Sequence, residues 1–255
     1  MLAVFDRTVA KCPEGLRRPE VEDGTKGGGP AALLDHFSSV HEGAVTVRLG
    51  SAASMGFSSD RQNPFSPRLF ASVDDMFCML QGALTNIPLL KQLYGLGKTA
   101  TDDIIIIEAY RTLRDRGPYP VDKVVRDLNG KFAFVLFDSS SNSIFIAADA
   151  DGAVPLFWGT DSEDHLIVSD DVETVKKHCG KHYAPFPKGC FFTSSGGLQS
   201  FEHPLSEVKA VPRVDSNGEV CGTMFIVDTK VKKETGMPRV GSGADWTKFL
   251  LLVQI

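Results

Sequence analysis

The chain is poor in cysteine. Its five cysteines, Cys12, Cys78, Cys179, Cys190 and Cys221, are odd in number and irregular in spacing. That excludes a disulfide framework and fits a reducing compartment, so the cytoplasm is the predicted location, with nuclear entry also open. There is no basic excess: 27 Lys and Arg face 32 Asp and Glu, a formal charge of −5. An electrostatic footprint for nucleic acid is therefore missing, and no nucleic-acid partner is expected. Tryptophan and tyrosine are scarce, two and four against 17 Phe, so the aromatics read as core filling rather than stacking platforms. No apolar run approaches the roughly 20 residues of a transmembrane segment. The start Met1–Asp6 lacks the basic region and long apolar region of a signal peptide. His178, Cys179, His182 and Cys190, with two lysines interleaved, fit no zinc spacing, and neither metal nor cofactor is expected. Gly95-Leu96-Gly97-Lys98-Thr99 resembles the end of a P-loop. Its required first glycine falls on Gln92, and a helix precedes it where a strand is needed; a helix-ending turn explains it.

What is present is apolar and patterned. Of 255 residues 42% are hydrophobic, enough for one large domain. The organising stretch is a predicted hairpin: Gly130–Asp138 and Ser143–Asp149 flank the polar turn Ser139–Asn142. In its first strand Phe132, Phe134 and Leu136 share one face, and Ala133, Val135 and Phe137 the other. Both faces are apolar, so both must be covered, by a second sheet on one side and helices on the other. Further strands are expected at Met1–Phe5, Ala44–Leu49, Ala52–Phe57, Leu69–Ser72, Met76–Gln81, His165–Ser169 and Gly189–Ser194. Helices are expected at Pro30–His41, Ile87–Tyr94, Asp102–Arg116, Pro120–Leu128 and Asp170–Cys179. The four isoleucines Ile104–Ile107 favour strand locally. Acidic residues at the start of their segment, basic ones at its end and Gly117 beyond argue for a buried helix.

Leu128-Asn129-Gly130-Lys131-Phe132-Ala133-Phe134 and Asp149–Gly159 resemble the glutaminase domain of asparagine synthetases, a class II glutamine amidotransferase. Tyr94-Gly95-Leu96 and Leu113-Arg114-Asp115-Arg116 resemble the motifs of a plant family of aluminium-induced, stem-specific proteins, and the likeness extends from Met1 to about residue 245. It implies an α+β fold, a four-layer αββα sandwich of the N-terminal-nucleophile hydrolase type. It would occupy residues 1–226, with 227–255 an extended C-terminal tail. The apolar end Phe249–Ile255 packs on the domain, is an atypical chain end, or serves as a docking or weak membrane-contact peptide.

The same resemblance identifies the positions that would carry chemistry. The nucleophile is a cysteine at position 2, activated by its own α-amine; here the position is Leu2, with neither lone pair nor proton, and Met1 is expected to remain. Cys12, ten residues on, has no free amine. The oxyanion hole is an Asn-Gly pair, matched by Gln81-Gly82, where the Gln81 amide and the Gly82 N–H would still be available. The contact to the substrate amine is matched by Ala83. The arginine that grips the substrate carboxylate aligns near Gly56, with Arg48 or Arg61 as substitutes from nearby. A later substrate-binding aspartate is matched by Asp102, which also reads as a helix cap. Asp149 and Asp151 read as a turn with Gly152. The end of the LRDR helix reads as solvent-facing or paired to Asp127, or as part of a partner surface. No catalytic residue is expected. Gln81, Gly82 and Asp102 would form a residual pocket for an amino-acid-like ligand. The chain is then a catalytically degenerate amidotransferase-like protein, binding or regulatory in plant stress, with a homodimer or other proteins as partners. The alternatives are an active amidohydrolase with a non-standard nucleophile, and a purely structural homo-oligomer.

Overall fold

A computed structural model describes residues 1–17, 29–60, 66–117, 121–214, 216 and 218–229. The first sheet has six strands, in the order β10-β8-β9-β1-β3-β2. These are β1 (Leu2–Phe5), β2 (Val45–Leu49), β3 (Ala53–Phe57), β8 (Phe157–Thr160), β9 (Leu166–Ser169) and β10 (Tyr183–Pro185). The second also has six, in the order β12-β11-β7-β6-β5-β4. They are β4 (Arg68–Val73), β5 (Met76–Leu84), β6 (Gly130–Asp138), β7 (Ser143–Ala148), β11 (Cys190–Thr193) and β12 (Gly197–Ser200). A separate hairpin joins β13 (Val208–Val214) to β14 (Val220–Val227).

The two faces of β6 explain the layering. Ala133, Val135 and Phe137 join Ala3, Phe5, Met55 and Trp158 in the core between the sheets. Phe132, Phe134 and Leu136 pack instead with Ile105, Ile106 and Val125. Those come from α3 (Asp102–Asp115) and α4 (Val121–Asp127), beside α2 (Ile87–Tyr94). Behind the first sheet, Leu2, Val4 and Ile167 pack on Leu33, Leu34 and Phe37 of α1 (Pro30–Val40) and Val175 of α5 (Val172–Cys179). The order helix, sheet, sheet, helix is the expected αββα sandwich.

The isoleucine run is helical because Ile105, Ile106 and Ile107 are all buried. Tertiary packing overrides their local strand preference. The Tyr94-Gly95-Leu96 motif is a helix stop. Gly95 adopts φ 66°, Leu96 N–H donates to Lys91 O at 2.8 Å, and Leu96 packs against the helix-side core. The P-loop-like residues Gly95–Thr99 are therefore the turn that follows α2.

Four expectations need correction. Strands β8, β10, β12, β13 and β14 were not anticipated; they have three to eight residues, too short or too mixed in pattern for alternation to mark them. Arg114 does not reach Asp127; it pairs with Asp115 at 2.8 Å and with buried Asp138 at 3.1 Å. Asp102 is not the helix cap, since Thr101 occupies that position. β5 also runs past Gln81 to Leu84, so Gln81-Gly82 lies within the strand rather than at its end. Asp149 does make the expected turn, accepting N–H bonds from Phe132, Asp151 and Ala153. The proposed boundary at 226/227 falls at the end of β14, and Phe249–Ile255 lies outside the described residues.

Candidate functional site

Leu2 lies opposite Gly56 of β3 on one side and Ser169 of β9 on the other. It is fully buried, and its side chain belongs to the apolar layer behind the sheet with Leu33, Leu34 and Val175. Gly56 faces the same layer. A Cβ there would come within 2.9 Å of the Phe37 ring. The positions that match the family's nucleophile and carboxylate contact are thus a cross-strand pair under a closed hydrocarbon lid. Arg48 is no substitute: it pairs with Asp35 on the surface at 2.8 Å. Arg61 lies outside the described residues.

The Gly82 N–H is not available as an oxyanion donor. It donates to Pro67 O at 2.9 Å, and Gly82 takes φ 103°, in a backbone region reserved for glycine. Asp102 holds the end of β5, accepting from Leu84 N at 2.8 Å. Gln81 alone of the three residual-pocket residues turns a side chain into the space between the sheets. Its strand neighbour Met79 and its cross-strand partner Ala133 both belong to the inter-sheet core. Gln81 is 9% exposed, and its Oε1 has no hydrogen-bond partner among the described residues.

Around Gln81 is a polar cluster that sequence reasoning missed. Arg68, at the start of β4, is the cross-strand partner of Gln81 and shares its face. Its Nη2 pairs with Asp170 Oδ2 at 2.5 Å, and Asp170 Oδ1 accepts from the α-ammonium of Met1 at 2.5 Å. Asp170 is 4% exposed and Arg68 20%. Ser169 Oγ donates to Met1 O at 2.8 Å. Burial lowers the Met1 ammonium pKa, and the Asp170 carboxylate opposes that shift. His41 also titrates below its usual range, through burial first and then the nearby Met1 and Arg68 charges. A sequence signal did exist: Arg68 opens the strand that pairs with Gln81, and Asp170 follows the strand that pairs with β1. Only the register brings them together.

Burial disfavours the thiolate form at three of the five cysteines. Burial pushes the Cys12 and Cys190 thiols up to about 12 and raises Cys78 well above the usual thiol range. Cys179 is buried against Gly159, and Cys221 Sγ contacts Arg213 O. Among the described residues no group of three or more His, Cys, Asp or Glu is placed to hold a metal ion. His178 instead bonds Thr174 O through Nδ1. No described helix is long and apolar enough to cross a membrane.

The chain is 38% identical over 148 residues to the stem-specific protein TSJT1 of Nicotiana tabacum, covering 58% of this chain and 99% of that one. It is 30% identical over 128 residues to the glutamine-hydrolyzing asparagine synthetase B of Escherichia coli, covering 49% of this chain but only 22% of the enzyme. It spans a similarly small share, 16%, of a probable asparagine synthetase of Dictyostelium discoideum, to which it is 35% identical. Among solved structures, the glutamine phosphoribosylpyrophosphate amidotransferase of B. subtilis matches 60% of this chain and 35% of that one, at 19% identity and a TM-score of 0.43. The model of the family described as "Aluminium induced protein" matches residues 2–227, and the chain belongs to that family.

Proposed function

We propose that this protein is a catalytically silent amidotransferase-like domain, a binding or regulatory protein of plant stress that works in the cytoplasm or nucleus. One observation carries the reading. The residue at the nucleophile position is Leu2, fully buried on the apolar side of β1 away from the polar cluster. Hydrolysis by the covalent amidotransferase route needs an attacking thiol and an adjacent base, and this position supplies neither. The stress and plant assignments draw on the family's description and on the tobacco relative.

The test is glutamate and ammonia release from glutamine by the wild type and by the double substitution Leu2→Cys, Ala3→Gly. Neither is expected to turn over glutamine. The double variant should also melt lower, because shortening a buried leucine costs roughly 2 kcal/mol or more. Steady release by the wild type would overturn the reading. The other reading, an amidohydrolase with a non-standard nucleophile, has one foothold: Thr101 Oγ1 donates to Asp103 at 2.5 Å. That contact sits at the first turn of α3, where such bonds close a helix end. Wild-type turnover abolished by Thr101→Val would establish the second reading.

A further inference from the structure

Glu173 and Lys177 stand four residues apart on α5, the order and spacing at which a glutamate and a lysine pair across one helix turn. On α4 the same spacing does form a pair, Asp122 with Arg126 at 3.5 Å. Glu173 and Lys177 stay apart. Lys177 Nζ instead donates to His36 Nε2 of α1 at 3.3 Å, a ring nitrogen that offers a lone pair but no negative charge. Among the described residues no carboxylate pairs with the Lys177 ammonium, and no cation pairs with the Glu173 carboxylate. Both line one cavity of about 340 Å³ between α1 and α5, at the small end of the range that holds small-molecule ligands. Its α1 wall is apolar: Leu33, Phe37 and Val40, the last 58% exposed. Asp171 also lines it, but its oxygens are taken by the helix cap, accepting from Glu173 N, Thr174 N and Thr174 Oγ1. Leu33 and Phe37 belong to the layer behind the first sheet, so the cavity lies on the other side of that sheet from the inter-sheet space that Gln81 faces.

We infer that this cavity binds a free α-amino acid with an apolar side chain. The ligand carboxylate would accept from the Lys177 ammonium, and the ligand ammonium would donate to the Glu173 carboxylate. The side chain would lie along Phe37 and Val40. Each part of the ligand answers one feature of the site. An unpaired cation and an unpaired anion on adjacent helix turns call for a ligand that carries both charges close together. A simple carboxylate would set a second negative charge beside Glu173, and a simple amine a second positive charge beside Lys177. The apolar wall favours a hydrocarbon side chain over none. The site lies outside the amidotransferase pocket, so the inference goes beyond the non-hydrolytic reading above and does not depend on it.

The test uses the whole chain and four probes: leucine, isocaproate, which lacks the ammonium, isoamylamine, which lacks the carboxylate, and glycine, which lacks the side chain. Amide shifts of Phe37, Val40 and Thr174 in proton–nitrogen correlation spectra report binding. Leucine is expected to saturate with a dissociation constant on the order of 1 mM, as two exposed ion pairs and one apolar contact allow. Isocaproate and isoamylamine should each bind about fivefold more weakly, the worth of one exposed ion pair. Glycine should be about tenfold weaker or more. Lys177→Met should erase the advantage of leucine over isoamylamine, and Glu173→Gln its advantage over isocaproate. Val40→Ser should weaken leucine and not glycine. All three side chains are exposed, so these variants should fold as the wild type does. Saturable leucine binding with these dependences supports the site. Leucine bound no better than isocaproate or isoamylamine, preferences that survive the substitutions, or shifts centred on Gln81 and Arg68 instead of α1 and α5 overturn it. So does the lack of any saturable shift, which would mean that Lys177 and Glu173 are solvated surface charges. Glutamate release from glutamine is scored separately: it would count against the silent-domain reading and leave this site standing.

Discussion

Asp138→Ala is expected to destabilise the protein by about 3 kcal/mol, one of the two largest losses from a single side chain. Asp138 ends β6 and its side chain is fully buried. It accepts from Arg114 Nη1 at 3.1 Å, Tyr110 OH at 3.2 Å, Ser140 N at 3.0 Å and Ser140 Oγ at 2.6 Å. Removing it takes an acceptor from the buried Tyr110 hydroxyl and leaves the Ser140 N–H of the β6–β7 turn without its side-chain partner. Arg114 is a third exposed and can recover water, which holds the loss near the low end for a broken buried pair. The neighbouring ion pair is the control. Arg111 bonds Asp74 at 2.7 Å, but Asp74 is 76% exposed, so Asp74→Asn, which keeps a residue suited to the left-handed φ of 51° there, should cost under about 1 kcal/mol. Chemical denaturation of both variants checks the contrast; equal losses would refute it.

The same carboxylate sets an acid dependence. Burial alone would raise the Asp138 pKa, but hydrogen bonds from Ser140, Ser141 and Arg114 outweigh it, and the folded value lies below the usual carboxylate range. A depressed folded pKa means the contribution is complete above the unfolded value, near 3.8, and is lost as pH falls through the folded value. Asp138→Asn should therefore flatten the fall in stability on acidification without steepening it near neutral pH.

Much of the fold could be read from the chain because its signals are local. The β6–β7 hairpin, its two apolar faces and the order of helices follow from alternation, caps and turn residues. The LRDR segment was placed on a helix end correctly. Sequence proximity leaves its arginine facing solvent or paired to Asp127, whereas Asp138 reaches Arg114 from the end of β6. The candidate site was half legible. Leu2 as a core residue follows from its type, but its facing away from the polar cluster follows from strand parity in the folded sheet. Arg68 and Asp170 carry no motif, and only β4–β5 and β1–β9 pairing makes them neighbours of Gln81 and Met1. Gly82 was read as an oxyanion donor by resemblance. Its N–H is consumed by Pro67, a bond that depends on how residue 67 approaches β5 and leaves no trace in composition.

Gly82→Ala is expected to cost more than about 3 kcal/mol, where alanine at an unstrained glycine instead stabilises by about 0.4–1 kcal/mol. Two penalties act together. The residue holds φ 103°, and an added Cβ would stand 2.0 Å from Lys131 O and 2.9 Å from Lys131 C, both backbone atoms of β6. No rotamer relieves a clash with a neighbouring strand, so the β5–β6 seam must open. Gly130 makes the reciprocal approach two residues along the ladder: at φ 145° its Cβ would lie 2.2 Å from Ala83 O. Gly82 pairs with Phe132 and Leu84 with Gly130, so the two glycines let one stretch of backbone pass closely. Opening the seam for one substitution prepares it for the other. The double variant should therefore be less destabilised than the sum of the singles, with a coupling on the order of 1 kcal/mol in a double-mutant cycle. Gly97→Ala, with nothing within 4 Å of its Cβ and no left-handed φ, should be close to neutral. Strict additivity of Gly82→Ala and Gly130→Ala would show that the two strands do not share a single close approach.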